Sequence, residues 1–176
     1  MTTAADITLF YSDKIRKYAC FSQWYPASFL VDGVKYKNAE QYMMGEKALV
    51  FDDYVVYEKI IAASDPRRIK ALGRKVKNFD EELWDTTKLE VVVYGNREKF
   101  SQNPQLADIL LSTGDSIIAE ASPYDKVWGI GLKHNDKAAM IPELWCSKNR
   151  TKFKGENLLG KALMEIRKEL KEKLKK

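Results

Sequence analysis

The sequence predicts a mainly α protein of the α+β class with a few short β-strands, and three observations support this. Polar caps followed by apolar residues at helical spacing recur along the chain, and each marks the start of a helix. An Asp32-Gly33 pair between two apolar runs predicts one hairpin. A length of 176 residues with 45% hydrophobic content allows one sizeable core, so we predict a single domain over residues 1–176.

The elements follow in order from these signals. Residues 29–36 form the predicted hairpin, and Asn38, with Gln41 three residues on, caps a helix that runs to about Val50. Residues 10–12 and 21–26 are rich in aromatic and turn residues. Further predicted elements are helices starting at Asp52 or Asp53, at Asp65-Pro66, at about Glu81 and at Asn103-Pro104, a strand at 116–120, a helical turn at 142–145, and a C-terminal amphipathic helix within 155–176.

Composition narrows the function classes. A net charge of +5 and a pI near 9.0 favour an anionic partner, although much of the excess lies in the C-terminal Lys171–Lys176 stretch and can simply aid solubility. One histidine, His134, and two distant cysteines exclude a histidine-based triad and a multi-histidine metal centre, so no metal or cofactor is expected. With no apolar run near 18 residues, we expect a cytoplasmic protein without membrane contact.

The segment from Glu120 to Gly131 is the most informative part of the sequence. It combines two carboxylates, Glu120 and Asp125, with the flat ring of Trp128 and two glycines, around a turn that Pro123 favours. Such a group suits a base stacked on the indole and a sugar held by its hydroxyls. A well-capped turn with a packed tryptophan is the alternative interpretation.

The helix that Asn38 caps carries a second candidate group. Glu40, Met43, Met44 and Lys47 fall at i, i+3, i+4 and i+7 and therefore share one face. A lysine desolvated there would have a lowered pKa and could act as a nucleophile, with Glu40 as acid or base. The alternative is a core stripe flanked by a surface glutamate and a surface lysine.

Two further positions could hold phosphate. Arg74 follows the predicted helix end at Gly73, where its guanidinium could bind a phosphate through two hydrogen bonds. The alternatives are that it pairs with the carbonyls at the helix end or lies in solvent. The turn at 155–160 enters a helix, whose first backbone amides are able to bind anions.

Together these motifs resemble the NADAR (YbiA-like) family, in order and over about residues 8–170. The matching positions are Phe10-Tyr11, Phe21-Ser22, Asp32-Gly33, Glu40 through Lys47, 72–74, Lys99-Phe100, 110–113, 120–123, Asp125, Trp128-Gly129 and 157–160.

The resemblance implies a YbiA-like fold and an N-glycosidase that cleaves the bond between a ribose anomeric carbon and a base-type nitrogen. Two substrate classes are associated with the family: ADP-ribose on guanine in nucleic acid, and the ribosylamino-pyrimidine phosphates of early riboflavin synthesis. The implied catalytic residues are Lys47 and Glu40. The implied or candidate substrate-binding residues are Glu120, Asp125, Trp128, Arg74, Asn157, Phe21 and Ser22.

A long charged insertion at 132–154 departs from the compact form of the pattern and favours ADP-ribosylated nucleic acid or nucleotide as the substrate. In the expected mechanism Lys47 forms an imine with the opened ribose while Glu40 moves protons; direct attack by water is the rival. There are two non-enzymatic alternatives. One is a reader that binds ADP-ribose or NAD without cleaving it, and the other is a basic nucleic-acid-binding module. The sequence does not indicate the oligomeric state.

Overall fold

The computed structural model describes residues 6–12, 17–146 and 155–175, whose mainly helical content with four short strands confirms the predicted fold class. In chain order, the strands and α-helices of these residues are β1 (Ile7–Phe10), β2 (Phe29–Val31), β3 (Val34–Tyr36), α1 (Ala39–Val50), α2 (Tyr54–Ala62), α3 (Pro66–Gly73), α4 (Glu81–Ser101), α5 (Pro104–Leu111), β4 (Ile117–Glu120), α6 (Glu143–Cys146) and α7 (Leu158–Lys173).

The chain divides into two compact units. The central unit comprises residues 23–104, and the terminal unit comprises residues 1–22 and 105–176. In the described part of the chain, no helix is both long enough and apolar enough to cross a membrane.

The central unit opens with the predicted hairpin. Strands β2 and β3 pair antiparallel, with Phe29 opposite Tyr36. Asp32 and Gly33 have φ angles of 47° and 80°, and a two-residue hairpin turn with positive φ at both positions matches the right-handed twist of its strands. The Asp-Gly pair therefore predicted the turn correctly.

The helices of the central unit begin where side-chain caps are available. Asn38 Oδ1 accepts the N–H of Gln41 at 2.8 Å, and Asp53 Oδ1 accepts the N–H of Val56 at 3.1 Å. Asp65 and Asp80 cap α3 and α4 in the same way. Each cap satisfies a backbone donor that the helix itself leaves unpaired, which is why these boundaries were readable from sequence.

Two glycines let the helices of the central unit approach closely. A Cβ on Gly73, at the end of α3, would overlap the side chain of Met44 in α1. A Cβ on Gly95, within α4, would overlap the ring of Tyr42 in α1. Helix α1 is thereby buried on most sides and forms the centre of this unit.

The terminal unit is organised by a parallel strand pair. β1 pairs with β4 in a register that sets Phe10 opposite Glu120, and the hydroxyls of Thr8 and Ser116 hydrogen-bond at 2.7 Å. β1 was not predicted: its last residue, Phe10, begins a stretch marked only by aromatic and turn residues. The four residues of this strand become regular only through a partner far along the chain, so local signals could not identify it.

The insertion at 132–154 contributes to the core of the terminal unit as far as it is described, which is to residue 146. Trp145 is 2% exposed, and its Nε1–H donates to the carbonyl of Ala139 at 3.1 Å. The buried cluster to which it belongs consists of Ala119, Ile130, Leu132, Ala139 and Trp145. The rest of the insertion, 147–154, lies outside the described residues.

Candidate functional site

Glu40 lies in the first turn of α1 and is 3% exposed. Its backbone N–H donates to the carbonyl of Gln23 at 2.9 Å, which fixes the start of the helix. Met43 and Met44, on the same face, are buried as well. Because Glu40 is buried, the alternative of a surface glutamate beside a core stripe is wrong for this residue.

Lys47 lies on the same face of α1, about 10 Å further along the helix axis. It is half-buried, and this burial lowers the pKa of its amine from the ordinary lysine value. Its Nζ atom lies 3.9 Å from the ring centroid of Phe79 and 5.8 Å from that of Trp84. A partly desolvated amine with a lowered pKa has a larger neutral, nucleophilic fraction near pH 7 than a lysine in water.

Phe79 and Trp84 are site neighbours that the sequence analysis missed. The helical spacing placed Lys47 among methionines, whereas the rings beside its amine come from the segment before α4 and from the first turns of α4 itself. The pattern of α1 alone contains no signal for them, because the contact depends on how α4 packs against α1.

The segment from Glu120 to Gly131 in the terminal unit is a turn held by its own side chains. Asp125 Oδ1 accepts the N–H of Val127 at 3.0 Å and that of Trp128 at 2.8 Å. The carbonyl of Glu120 accepts the N–H of Ile130 at 2.9 Å. These bonds fix Trp128, whose ring is partly exposed, and leave Glu120 at the very end of β4.

Asn157 ties the start of α7 to β4. Its Oδ1 accepts the N–H of Glu120 at 3.2 Å, and its Nδ2 donates to the carbonyl of Ile118 at 2.9 Å. Its backbone is left-handed, with φ 53°, which asparagine tolerates better than most residues. Asn157 is 3% exposed, so its side-chain amide is buried between the end of β4 and the start of α7.

The first backbone amides of α7 and the turn before it do not form an open anion site. The N–H groups of residues 156–159 donate to the carbonyls of Lys126, Gly129, Val127 and Trp128. Gly155 makes this approach possible, because a Cβ there would overlap the backbone of Gly129 and Ile130. The expectation that these amides bind phosphate is wrong, since the Glu120–Gly131 turn uses them.

The other predicted site residues occupy different environments. Phe21 is fully buried in the terminal unit, with its ring 5.6 Å from Phe10 and 5.3 Å from Tyr18. Ser22, the next residue in the chain, is buried as well. Arg74, by contrast, is exposed at the end of α3 in the central unit. Glu40, Lys47 and Arg74 thus belong to the central unit, and Glu120, Asp125, Trp128 and Asn157 come together in the terminal unit.

His134 is exposed, as its polar surroundings predict. Within the described residues, no three His, Cys, Asp or Glu side chains converge as they would to hold a metal ion.

Comparison with known proteins identifies the family. A sequence profile of the NADAR domain matches residues 9–171. The chain is 49% identical to an N-glycosidase of Acanthamoeba polyphaga mimivirus, over 85% of this chain and 86% of that relative. It is 30% identical to a riboflavin biosynthesis protein of Vibrio vulnificus, over 93% of this chain and 39% of that relative. The NMR structure of YbiA from Escherichia coli superposes with a TM-score of 0.76 and 28% identity, over 99% of this chain and 91% of YbiA. The chain therefore belongs to the NADAR domain family.

Proposed function

We propose that this protein is an N-glycosidase that hydrolyses the bond between a ribose anomeric carbon and a base-type nitrogen, and that it removes ADP-ribose from guanine bases in nucleic acid. One observation carries the proposal: a half-buried lysine with a lowered pKa, Lys47, shares a helix face with a buried carboxyl group, Glu40. A relative at 49% identity named as an N-glycosidase supports the reaction class.

The pair supplies the two functions that this reaction needs. Lys47, as a neutral amine, attacks the anomeric carbon, and the carbon–nitrogen bond breaks as Glu40 gives a proton to the leaving base. The ribose ring opens, and the nitrogen of Lys47 forms an imine with the former anomeric carbon. Water then adds to the imine, Glu40 takes the proton from that water, and release of Lys47 leaves free ADP-ribose.

The rival mechanism has no covalent step. Glu40 or Asp125 would stabilise an oxocarbenium-like state and direct a water molecule to it. Borohydride added during turnover separates the two, because it reduces an imine to a stable amine. We expect a mass increase on the peptide that contains Lys47 and none for Lys47→Arg. Continued turnover without a trapped adduct would establish direct attack by water.

Substrate contacts are assigned to residues whose chemistry suits each part of ADP-ribose. Trp128, whose ring is partly exposed, is proposed to stack on a base, and Glu120 and Asp125 to accept hydroxyl protons of a ribose. Exposed Arg74 is proposed to bind phosphate. Asn157 acts through Glu120, whose backbone it holds.

The second candidate function is cleavage of the ribosylamino-pyrimidine phosphates of riboflavin synthesis. The similarity to a Vibrio vulnificus riboflavin biosynthesis protein favours it, and the same lysine and glutamate would serve the same bond cleavage. A reader that binds ADP-ribose without cleaving it remains as the non-enzymatic alternative.

The test is the release of ADP-ribose from a guanine-ADP-ribosylated oligonucleotide by the wild type, by Lys47→Ala and by Glu40→Ala. Matched controls are Lys59→Ala and Glu58→Ala, which remove the same residue types from exposed positions of α2. Release by the wild type and controls, lost in both α1 variants, supports the proposal. Cleavage of the riboflavin intermediate alone supports the second candidate, and tight ADP-ribose binding without cleavage of either substrate supports the reader.

A further inference from the structure

The positive charge of this protein is concentrated in one stretch of the central unit. Residues 66–79 contain six lysines and arginines and no acidic residue. The chain as a whole has 30 basic and 25 acidic residues, so the remainder carries 24 basic residues against 25 acidic. The net charge of +5 therefore derives from this stretch more than from the C-terminal lysines.

These cations lie on the surface of the protein. Arg67, Arg68, Arg74, Lys75 and Lys77 are exposed, and Lys70 is partly exposed. Across the described ranges of the chain, no salt bridge engages any of the six. The same stretch ends in Phe79, a phenylalanine that is 44% exposed.

The stretch is held firmly against α1. Ile69 and Val76 are buried, and Gly73 packs on Met44. The N–H of Lys77 donates to Asp53 Oδ2 at 2.9 Å, and the ring of Phe79 meets that of Phe51 edge-on at 5.3 Å. Buried residues thus face inward while the cations face solvent, so packing holds in place the backbone that carries the cations.

The position of Phe79 connects this surface to the candidate catalytic lysine. Its ring centroid lies 3.9 Å from Lys47 Nζ, and almost half of the side chain remains open to solvent. Phe79, at the end of the basic stretch, is therefore also a direct neighbour of Lys47.

We propose that residues 67–79, here called the basic surface, dock the backbone of a single-stranded nucleic acid, with Phe79 stacking one of its bases. Exposed cations that track phosphates beside an aromatic ring are the general features of single-strand binding, and unpaired bases are free to stack. This inference rests on the proposed function and adds to it the surface that holds the nucleic-acid strand.

Binding tests the surface independently of catalysis. Anisotropy of a fluorescein-labelled, unmodified single-stranded oligonucleotide would be measured against salt for the wild type and for Arg67→Gln/Arg68→Gln/Lys75→Gln/Lys77→Gln. The matched control is Lys161→Gln/Lys168→Gln/Lys173→Gln/Lys175→Gln, which removes the same charge from exposed positions at or near α7. With about 0.7 of logarithmic salt slope per single-strand phosphate contact, the first variant should lower the slope by up to roughly 3 and the control should not.

Phe79 is tested by removing and then restoring a ring. Phe79→Ala should weaken binding of the oligonucleotide about tenfold, and Phe79→Trp should retain it, because any flat aromatic ring can stack on a base. Thermal melts of all variants confirm that each remains folded.

Cleavage distinguishes the two proposals. The four-glutamine variant of the basic surface should lower kcat/KM on an ADP-ribosylated oligonucleotide by at least about tenfold, and change it less than about twofold on the ADP-ribosylated mononucleotide. Equal weakening of strand binding by both charge variants, or no weakening by either, would overturn the docking surface. If the wild type binds the strand through this surface but cleaves neither adduct, the docking surface stands and the proposed hydrolase fails.

Discussion

The side-chain amide of Asn157 holds the backbone of Glu120, accepting its N–H at 3.2 Å while donating to the carbonyl of Ile118 at 2.9 Å. A residue at the start of α7 therefore fixes the last residue of β4, across 37 positions of sequence. Because Glu120 also begins the turn that carries Asp125 and Trp128, this amide sets where that turn starts.

Removal of the Asn157 amide should destabilise the terminal unit and displace Glu120. Asn157→Ala leaves a buried N–H and a buried carbonyl without partners, and we expect a loss of about 2 kcal/mol in the free energy of unfolding, measured by urea denaturation. Asn157→Gly is the control, because it relaxes the left-handed backbone while losing the same bonds. A loss in Asn157→Ala that Asn157→Gly fully restores would assign the effect to backbone strain and not to the amide.

Two Gly→Ala substitutions should change stability in opposite directions. A Cβ on Gly160 would overlap the carbonyl of Ile118 and the amide of Asn157, so Gly160→Ala should cost about 3 kcal/mol. A Cβ on Gly45, inside α1, would lie 3.4 Å from the nearest Tyr57 ring atom, an ordinary contact. Alanine favours helix over glycine, so Gly45→Ala should gain about 0.5–1 kcal/mol. Thermal melts of the two variants test both expectations. A lower melting temperature for Gly45→Ala than for the wild type would show that α1 tolerates no added volume.

The reaction should accelerate with rising pH through the pKa of Lys47. Burial lowers that pKa from the ordinary value, so the neutral amine becomes available at lower pH than for a lysine in water. Lys47→Arg, which stays charged, should reduce kcat/KM about a thousandfold over the whole pH range. The measurement is the pH profile of kcat/KM for the wild type.

Chemical labelling gives an independent check on Lys47. The rate of reductive methylation, followed by mass spectrometry of the modified peptides, should rise at lower pH for Lys47 than for exposed Lys59 of α2. Labelling of both lysines over the same pH range would contradict a neutral-amine role for Lys47.

The carboxyl group of Glu46 should contribute more to the free energy of unfolding in acid than at neutral pH. Burial, followed by the nearby charge of Asp32, raises the pKa of Glu46 in the folded protein. Between the unfolded and the folded pKa the native state binds more protons, so this contribution to stability falls as pH rises through that window. Glu46→Gln should therefore stabilise the protein at neutral pH and lose this advantage below the ordinary glutamate pKa. The urea midpoints of the wild type and Glu46→Gln at neutral pH and in acid test this expectation, with exposed Glu58→Gln as control. An equal increase of the midpoint at both pH values would contradict it.

The local elements of the central unit were predictable because their signals are local. Asn38, Asp53 and Asp65 each cap a helix within three residues, and Asp32-Gly33 closes its hairpin within two. By contrast, no local signal predicted β1, since Ile7–Phe10 becomes a strand only by pairing with Ile117–Glu120. A pattern within four residues cannot carry information about a partner more than 100 positions away.

The features of the candidate site, too, were predictable from the sequence only in part. The spacing of Glu40 and Lys47 placed them on one helix face, and the resemblance to the NADAR family gave them roles that await the experiments above. The spacing did not indicate that Glu40 would be buried or that Lys47 would lie beside Phe79. It also suggested that the amides at the start of α7 were open, whereas the carbonyls of residues 126–129 occupy them.

By itself, the sequence determined the helices, their caps, the hairpin and the family to which the chain belongs. These features depend on contacts between near neighbours, or on an ordered set of motifs that needs no coordinates. Only the tertiary structure decided which polar groups lose water, which backbone donors are already satisfied, and which cations remain free to meet a ligand. Burial and hydrogen-bond pairing depend on what distant segments place around a residue, and these surroundings set the pKa of Lys47 and expose the basic surface.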